Sequence, residues 1–107
     1  LEKTSELAVS VITQMELLIG CRNKSELRKI ENFLKRFRVL KLSEQMTEVT
    51  LDLLRNYRLS HGLSIPDALI ASTAIVWDKD FISKNQRHYR FIDRLRLQQY
   101  SLSTSAS

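Results

Sequence analysis

The most informative segment of the chain is residues 64–76, which read SIPDALIASTAIV. Proline is favoured in the first turn of a helix, and an acidic side chain such as Asp67 is stabilised there by the helix dipole. From Ala68 onward the residues are apolar or small on nearly all sides, a pattern typical of a buried helix. We therefore predict a buried helix that begins with a carboxylate and approaches a sheet closely through its small side chains.

Short apolar runs and helical patterns alternate on both sides of this segment. We predict strands at residues 7–11, 39–42, 81–83 and 95–97. We predict further helices at about 12–18, 25–37 and 43–60. Ser10 or Thr13 is expected to cap the first helix, and Gly20 and Gly62 are placed at helix ends. This alternation indicates an α/β fold with a short parallel sheet flanked by helices.

Length and composition indicate one ordinary globular domain. The 107 residues are 43% hydrophobic and 27% charged, and we expect the domain to span residues 1–100, with residues 101–107 a disordered tail. No apolar run approaches the ~20 residues that cross a bilayer, so we expect neither a membrane span nor a signal peptide. The single Cys21 excludes an internal disulfide and fits a reducing compartment, the cytoplasm.

The charge of the chain favours an anionic partner such as nucleic acid. The formal net charge is +5 and the isoelectric point is about 9.7, although a basic balance alone also fits small proteins with no such partner. Two glycines cannot form a glycine-rich phosphate loop, and two histidines leave little material for a Ser-His-Asp triad.

Glu16 is the first candidate. It shares one face of the first predicted helix with Ile12, Met15 and Ile19. A carboxylate within an apolar stripe is costly unless it meets a cation or hydrogen-bond donors. The pattern leaves open whether Glu16 is a metal ligand at a sheet edge, forms an ion pair with an Arg or Lys, or belongs to a stripe that faces solvent.

Asp67 and Asn85 are the other candidates. Asp67 begins a buried helix, where it is either a ligand or a residue that only stabilises the helix end. Asn85 follows the strand predicted at residues 81–83, and ligands bind beyond the carboxyl ends of parallel strands. Asp78 and Asp80 precede that strand at its amino end and are predicted to be turn residues.

Such residues suit phosphodiester chemistry. Carboxylates from separate elements hold hard dications such as Mg²⁺ or Mn²⁺, which clamp the phosphodiester and generate hydroxide near neutral pH. Lys84, Arg87 and Arg90 are candidates for phosphate contact, unless they form only a solvated basic loop.

Three segments together resemble a known family. Residues 10–20, SVITQMELLIG, resemble the S-x-I-T-x-x-E-L-x-x-G signature of VapC-type PIN domains. Residues 65–74, IPDALIASTA, are similar to that family's I-P-D-A-L-I-A-A-T-A, and residues 81–85, FISKN, resemble its L-V-T-x-N/D. The resemblance covers about residues 5–100. It implies a three-layer PIN-like fold and a metal-dependent endoribonuclease of a toxin-antitoxin system, which uses about four acidic positions to bind Mg²⁺ or Mn²⁺.

The resemblance also assigns roles and partners. Glu16 takes the second acidic position, Asp67 the third and Asn85 the fourth, which makes all three catalytic candidates and the first two metal ligands. His88-Tyr89 falls where many relatives carry Asp-Phe, so an auxiliary acid is absent. The implied partners are an RNA substrate, a small VapB-type antitoxin and a second copy in a homodimer.

The front of the chain departs from the family pattern. Family members begin with a central strand that ends in Asp, and residues 1–6 are too short and polar to supply it. We therefore expect an N-terminally truncated form that lacks this strand and the first catalytic Asp, with doubtful activity.

Two rival functions belong to other classes. A catalytically dead remnant would bind an antitoxin or another protein without binding metal. A small basic nucleic-acid-binding module would show salt-dependent binding without a metal effect, although aromatic residues for stacking single strands make up only 7% of the chain.

Overall fold

The chain divides into two compact units, Leu1–Leu42 and Ser43–Ser107, and a computed structural model describes residues 7–98. In this part of the chain, each unit has two α-helices and a two-stranded parallel sheet. The α/β class and the short parallel sheets are therefore confirmed. The strands form two pairs, one in each unit. The predictions for residues 1–6 and for the tail at 101–107 lie outside the described residues.

The first unit has the order β1 Ala8–Ser10, α1 Val11–Ile19, α2 Lys24–Leu34 and β2 Arg38–Leu40. β1 and β2 are parallel, with Ala8 opposite Arg38 and Ser10 opposite Leu40. Ser10 ends the strand and also caps α1, because its Oγ accepts a hydrogen bond from the Thr13 N–H at 3.0 Å. Ser10 is therefore the cap, and the strand is shorter than predicted because the helix begins at Val11.

The second unit has the order α3 Glu44–His61, α4 Ile65–Val76, β3 Phe81–Ile82, a short 3-10 helix Gln86–His88 and β4 Leu97–Gln98. β3 and β4 are parallel, with Phe81 opposite Leu97. Among the helices of residues 7–98, none is long and apolar enough to cross a membrane.

The predicted burial of α4 is confirmed. Ala68, Ala71 and Ser72 are fully buried, and the Thr50 hydroxyl of α3 donates to Ser72 Oγ at 2.8 Å. The small residues of α4 thus allow close packing against a helix, α3. One apolar cluster joins α3 and α4 to the segment after the 3-10 helix, and its buried members are Val49, Leu53, Leu63, Ala68, Ala71, Ala74, Tyr89, Ile92 and Leu95. This cluster places the N-terminus of α4 beside Tyr89.

Asp78 and Asp80 have the structural role that the sequence predicted. Asp78 follows α4 with a φ of 57°, a left-handed conformation that Asp adopts more readily than most residues. The Arg96 guanidinium donates to both carboxylates. These hydrogen bonds raise the pKa of Arg96, the bond to Asp80 more than the bond to Asp78. The Phe81 N–H also donates to the Arg96 carbonyl at 2.8 Å. This group of contacts ties the start of β3 to the chain just before β4.

Candidate functional site

Asp67 lies in the first turn of α4, where the sequence placed it. Ser64 caps the helix in an extended conformation, and its Oγ accepts a hydrogen bond from the Asp67 N–H at 3.2 Å. Pro66 occupies the first turn, where a missing N–H does no harm. The Asp67 side chain is 24% exposed. Its carboxylate is therefore held at a helix end and is still accessible to solvent.

The two oxygens of Asp67 have different partners. The Tyr89 hydroxyl donates to Oδ1 at 2.9 Å, and Tyr89 is 5% exposed, with its ring edge-to-face against Phe81. Oδ2 lies 3.3 Å from Nδ1 of His88, a side chain that is 55% exposed. Oδ1 is thus held by the buried Tyr89, and Oδ2 lies beside the exposed imidazole of His88.

Sequence reasoning missed the part played by His88 and Tyr89. It noted them only as a departure from the family pattern, in which an acid is absent. The sequence did show that a histidine and a tyrosine, His88 and Tyr89, follow Asn85 closely. Both side chains can contact a carboxylate. The contact joins residues 22 positions apart, so no local pattern could show it.

The loop after β3 forms a polar surface cavity of about 280 Å³, lined by Lys84, Asn85, Gln86, Arg87, His88 and Arg90. The lining includes all four loop residues that the sequence singled out. Gln86 secures the loop, because its side-chain amide donates to the carbonyls of Ser83 at 2.6 Å and Gln98 at 3.1 Å. His88 belongs both to this cavity and to the Asp67 contact. The second unit therefore brings Asp67, Asn85 and the three basic residues into one region.

Glu16 lies in the first unit, on α1. It lines an apolar cavity of about 380 Å³ with Leu17, Gly20, Cys21, Glu26, Lys29 and Ile30. On the same face Met15 is 47% exposed and Ile19 is 83% exposed, so the apolar stripe is largely open to solvent, as one of the alternatives proposed. Of the ion pairs that involve described residues, none includes Glu16. Glu16 belongs to the first unit and Asp67 to the second.

The donor chemistry fits a dication in part. Within residues 7–98, no three or more His, Cys, Asp or Glu side chains converge closely enough to hold a metal ion. The pair formed by Asp67 Oδ2 and His88 Nδ1 nevertheless offers a carboxylate oxygen and an imidazole nitrogen side by side. Both atom types ligate divalent metals. The second unit thus supplies two adjacent ligand atoms.

Comparison with known families identifies the family of the chain. The family model described as PIN domain matches residues 1–93. This chain belongs to the PIN-domain family. The resemblance seen in the three sequence segments is therefore confirmed.

Individual PIN-domain relatives agree with this assignment. The chain is 40% identical over 85 residues to Ribonuclease VapC19 of Mycobacterium tuberculosis, an alignment that covers 78% of this chain and 67% of that protein. The fold is similar to VapBC-1 from nontypeable Haemophilus influenzae, with a TM-score of 0.76, 26% identity and coverage of 87% and 73%. It is also similar to a toxin-antitoxin complex from Klebsiella pneumoniae, with a TM-score of 0.71, 25% identity and coverage of 89% and 75%.

Proposed function

We propose that this PIN domain is a divalent-metal-dependent endoribonuclease of a toxin-antitoxin system that hydrolyses RNA phosphodiester bonds. Its 40% identity to Ribonuclease VapC19 supports the reaction class. The observation that carries the proposal is the Asp67 carboxylate. Its side chain is 24% exposed, with Oδ1 fixed by the Tyr89 hydroxyl and Oδ2 3.3 Å from His88 Nδ1. This carboxylate lies beside a loop that also forms a basic cavity.

Asp67 and Glu16 are the proposed ligands of Mg²⁺ or Mn²⁺. The bound ion supplies Lewis acidity and a hydroxide near neutral pH. Asp67 offers Oδ2, since Tyr89 occupies Oδ1, and the cap from Ser64 holds the residue at the helix end. Asn85, on the rim of the basic cavity, orients the attacking water through its side-chain amide.

Lys84, Arg87 and Arg90 are the proposed contacts for RNA phosphates. They line one cavity with Asn85 and His88, and all three are exposed. Phosphate contacts position a nucleic acid without reading its sequence. These residues therefore hold the strand on either side of the bond that is cut.

A VapB-type antitoxin is the proposed protein partner, and a homodimer is the proposed assembly. The similarity to the toxin-antitoxin complex from Klebsiella pneumoniae supports the antitoxin. The exposed Met15 and Ile19 of α1 supply apolar surface for a protein partner. An RNA substrate and the free thiol of Cys21 favour the cytoplasm as the place of action.

Asp67→Asn tests the proposed activity. The substitution keeps the size of the side chain and removes its charge, so we expect metal-dependent cleavage of a fluorogenic RNA by the 107-residue chain to fall by about 100-fold or more. Asp52→Asn is the matched control, because Asp52 is an exposed carboxylate on α3 that pairs only with Arg55 within the described residues. We expect this control to cleave at the wild-type rate.

Measurements of RNA, antitoxin and metal binding, made together with the cleavage assay, separate the rival functions. Activity of Asp67→Asn within twofold of the wild type would show that Asp67 is not catalytic. RNA binding that depends on salt but not on metal, without cleavage by the wild type, would indicate a basic binding module. Antitoxin binding with neither cleavage nor metal binding would indicate a catalytically dead remnant.

A further inference from the structure

We propose that His88 is a metal ligand which, together with Asp67, makes this site bind Mn²⁺ in preference to Mg²⁺. This rests on the proposed function, because it concerns the same metal site. The relevant contact is the one between His88 Nδ1 and Asp67 Oδ2, which are 3.3 Å apart.

The separation of these two atoms suits joint coordination of one ion. Ligand atoms about 2.1 Å from a metal lie about 3.0 Å apart at neighbouring octahedral positions and about 3.4 Å apart at tetrahedral positions. The observed 3.3 Å lies between these values. It is longer than the roughly 2.7–2.9 Å of a charge-assisted hydrogen bond. The distance between the two atoms therefore needs to change by no more than a few tenths of an ångström for them to share an ion.

Hydrogen bonds hold the backbone of His88 and the other carboxylate oxygen of Asp67. The His88 N–H donates to the Asn85 carbonyl at 3.0 Å, and the Tyr89 N–H donates to the Gln86 carbonyl at 3.1 Å. Tyr89 is buried and holds Oδ1 of Asp67, so Oδ2 is the oxygen that remains for an ion. The His88 side chain is 55% exposed, which leaves room for an ion with its water ligands.

An imidazole ligand changes which ion is preferred. Mg²⁺ takes oxygen ligands almost exclusively and gives up its water reluctantly. The affinity of a site with nitrogen and oxygen ligands rises along the first-row transition dications from Mn²⁺, the weakest binder, to Cu²⁺. Mg²⁺ has no d electrons and gains less than Mn²⁺ from a nitrogen ligand. A site with one carboxylate oxygen and one imidazole nitrogen therefore favours Mn²⁺ over Mg²⁺.

The test compares metal binding by the full chain at pH 8. Calorimetric titrations with MnCl₂ and with MgCl₂ give the ratio of the two dissociation constants, and pulsed electron paramagnetic resonance of bound Mn²⁺ detects a coordinated nitrogen. We expect the wild type to bind Mn²⁺ at least about 10-fold more tightly than Mg²⁺ and to show the nitrogen signal. His88→Asp puts an oxygen ligand in place of the nitrogen, so we expect the ratio to fall about 10-fold and the nitrogen signal to disappear.

His61→Asp is the matched control. His61 is the other histidine of the chain, and it stacks on Phe91, with 4.1 Å between the ring centroids. We expect the control to keep both the binding ratio and the nitrogen signal, with circular dichroism used to verify that each variant is folded.

The outcomes distinguish this inference from the proposed function. If His88→Asp leaves the ratio and the nitrogen signal unchanged while Asp67→Asn abolishes binding, the metal site stands and the role of His88 is wrong. Tighter binding of both ions by His88→Ala would show that His88 only competes with metal for Asp67, which also overturns the inference. If the wild type binds neither ion, the proposed metal-dependent function fails and this inference fails with it.

Discussion

Three described residues, Ser64, Tyr89 and His88, each contact a different atom of Asp67. Ser64 Oγ accepts from the backbone N–H, the Tyr89 hydroxyl donates to Oδ1, and His88 lies beside Oδ2. A side chain restricted in this way loses little further freedom when it binds an ion or a substrate. Groups that orient a ligand also tune the strength with which it binds metal.

Tyr89→Phe tests whether the hydrogen bond from the Tyr89 hydroxyl orients the Asp67 carboxylate. Removal of the hydroxyl frees Oδ1 and lets the carboxylate rotate, so we expect Mn²⁺ affinity to fall by about 10-fold. Stability should fall by about 1 kcal/mol through the lost hydrogen bond. Calorimetric titration and thermal unfolding measure the two effects.

Tyr57→Phe is the control for that substitution. Tyr57 lies in the same unit and packs its ring on Phe91, with 5.1 Å between the centroids. Its variant should bind Mn²⁺ like the wild type. Equal affinities for all three proteins would mean that the Tyr89 hydroxyl serves only the fold.

The sequence predicted the candidate residues of the site better than their contacts. Asp67 was recognisable because it begins a helix, and the basic residues after β3 were recognisable because a strand of a parallel sheet ends just before them. The contact from Tyr89 to Asp67 spans 22 positions and depends on how the segment after the 3-10 helix packs against α4. Local periodicity carries no information on such a contact. Whether Glu16, Asp67 and Asn85 are catalytic or bind metal stays a prediction.

At the scale of elements, the sequence predicted the starts of the helices better than the conformation at their ends. Ser43 and Ser64 cap α3 and α4 through their hydroxyls, as their positions before the helical patterns suggest. Gly62 ends α3 with a φ of 70°, where glycine avoids the strain that a Cβ would bring. Gly20, predicted by the same rule, keeps a right-handed conformation with a φ of −73°. Both glycines therefore lie at the end of a helix, as predicted. Only Gly62 also has the left-handed conformation that glycine favours at such an end.

The strands were located by their apolar runs, but their lengths were overestimated. Val11 belongs to α1, because Ser10 already caps the helix. Leu95, predicted as strand, is buried in the apolar cluster of the second unit, and β4 begins only at Leu97. Apolar character signals burial, and burial in a short segment is shared by strands and irregular core residues.

Ser64→Ala tests whether the start of α4 supports the site as well as the helix. Loss of the cap should lower the free energy of unfolding by about 1 kcal/mol. Because the same hydrogen bond holds the backbone of Asp67, we also expect weaker Mn²⁺ binding. Unfolding in urea and calorimetric titration measure these changes.

Ser43→Ala provides the comparison for the Ser64 variant. Ser43 Oγ accepts from the Met46 N–H at 3.3 Å, so this cap resembles the Ser64 cap but begins α3, away from Asp67. Its variant should lose similar stability and keep its metal affinity. If both variants lose the same affinity, the effect comes from general destabilisation and the cap of α4 has no special role.

At the scale of the whole molecule, 17 Lys and Arg residues outweigh 12 Asp and Glu residues. Such an excess attracts any polyanion and by itself does not identify a binding site. Part of the excess positive charge lies at the cavity after β3, because Lys84, Arg87 and Arg90 line it together. Basic residues of α2 and of the turn that follows it, namely Arg28, Lys35 and Arg36, are also exposed. The two groups carry equal charge, so their effects on RNA binding can be compared directly.

Neutralising each group in turn tests whether the cavity holds RNA. The Asp67→Asn background prevents cleavage, and binding of a single-stranded RNA is followed by fluorescence anisotropy at several salt concentrations. Each phosphate contact contributes about 0.7 to the slope of log affinity against log salt for single strands. Lys84→Ala, Arg87→Ala and Arg90→Ala together should therefore reduce the slope by about 2. Arg28→Ala, Lys35→Ala and Arg36→Ala remove the same charge and should change it by much less. If both triple variants reduce the slope equally, RNA binding depends only on net charge. The cavity after β3 would then not be the binding site of the RNA strand.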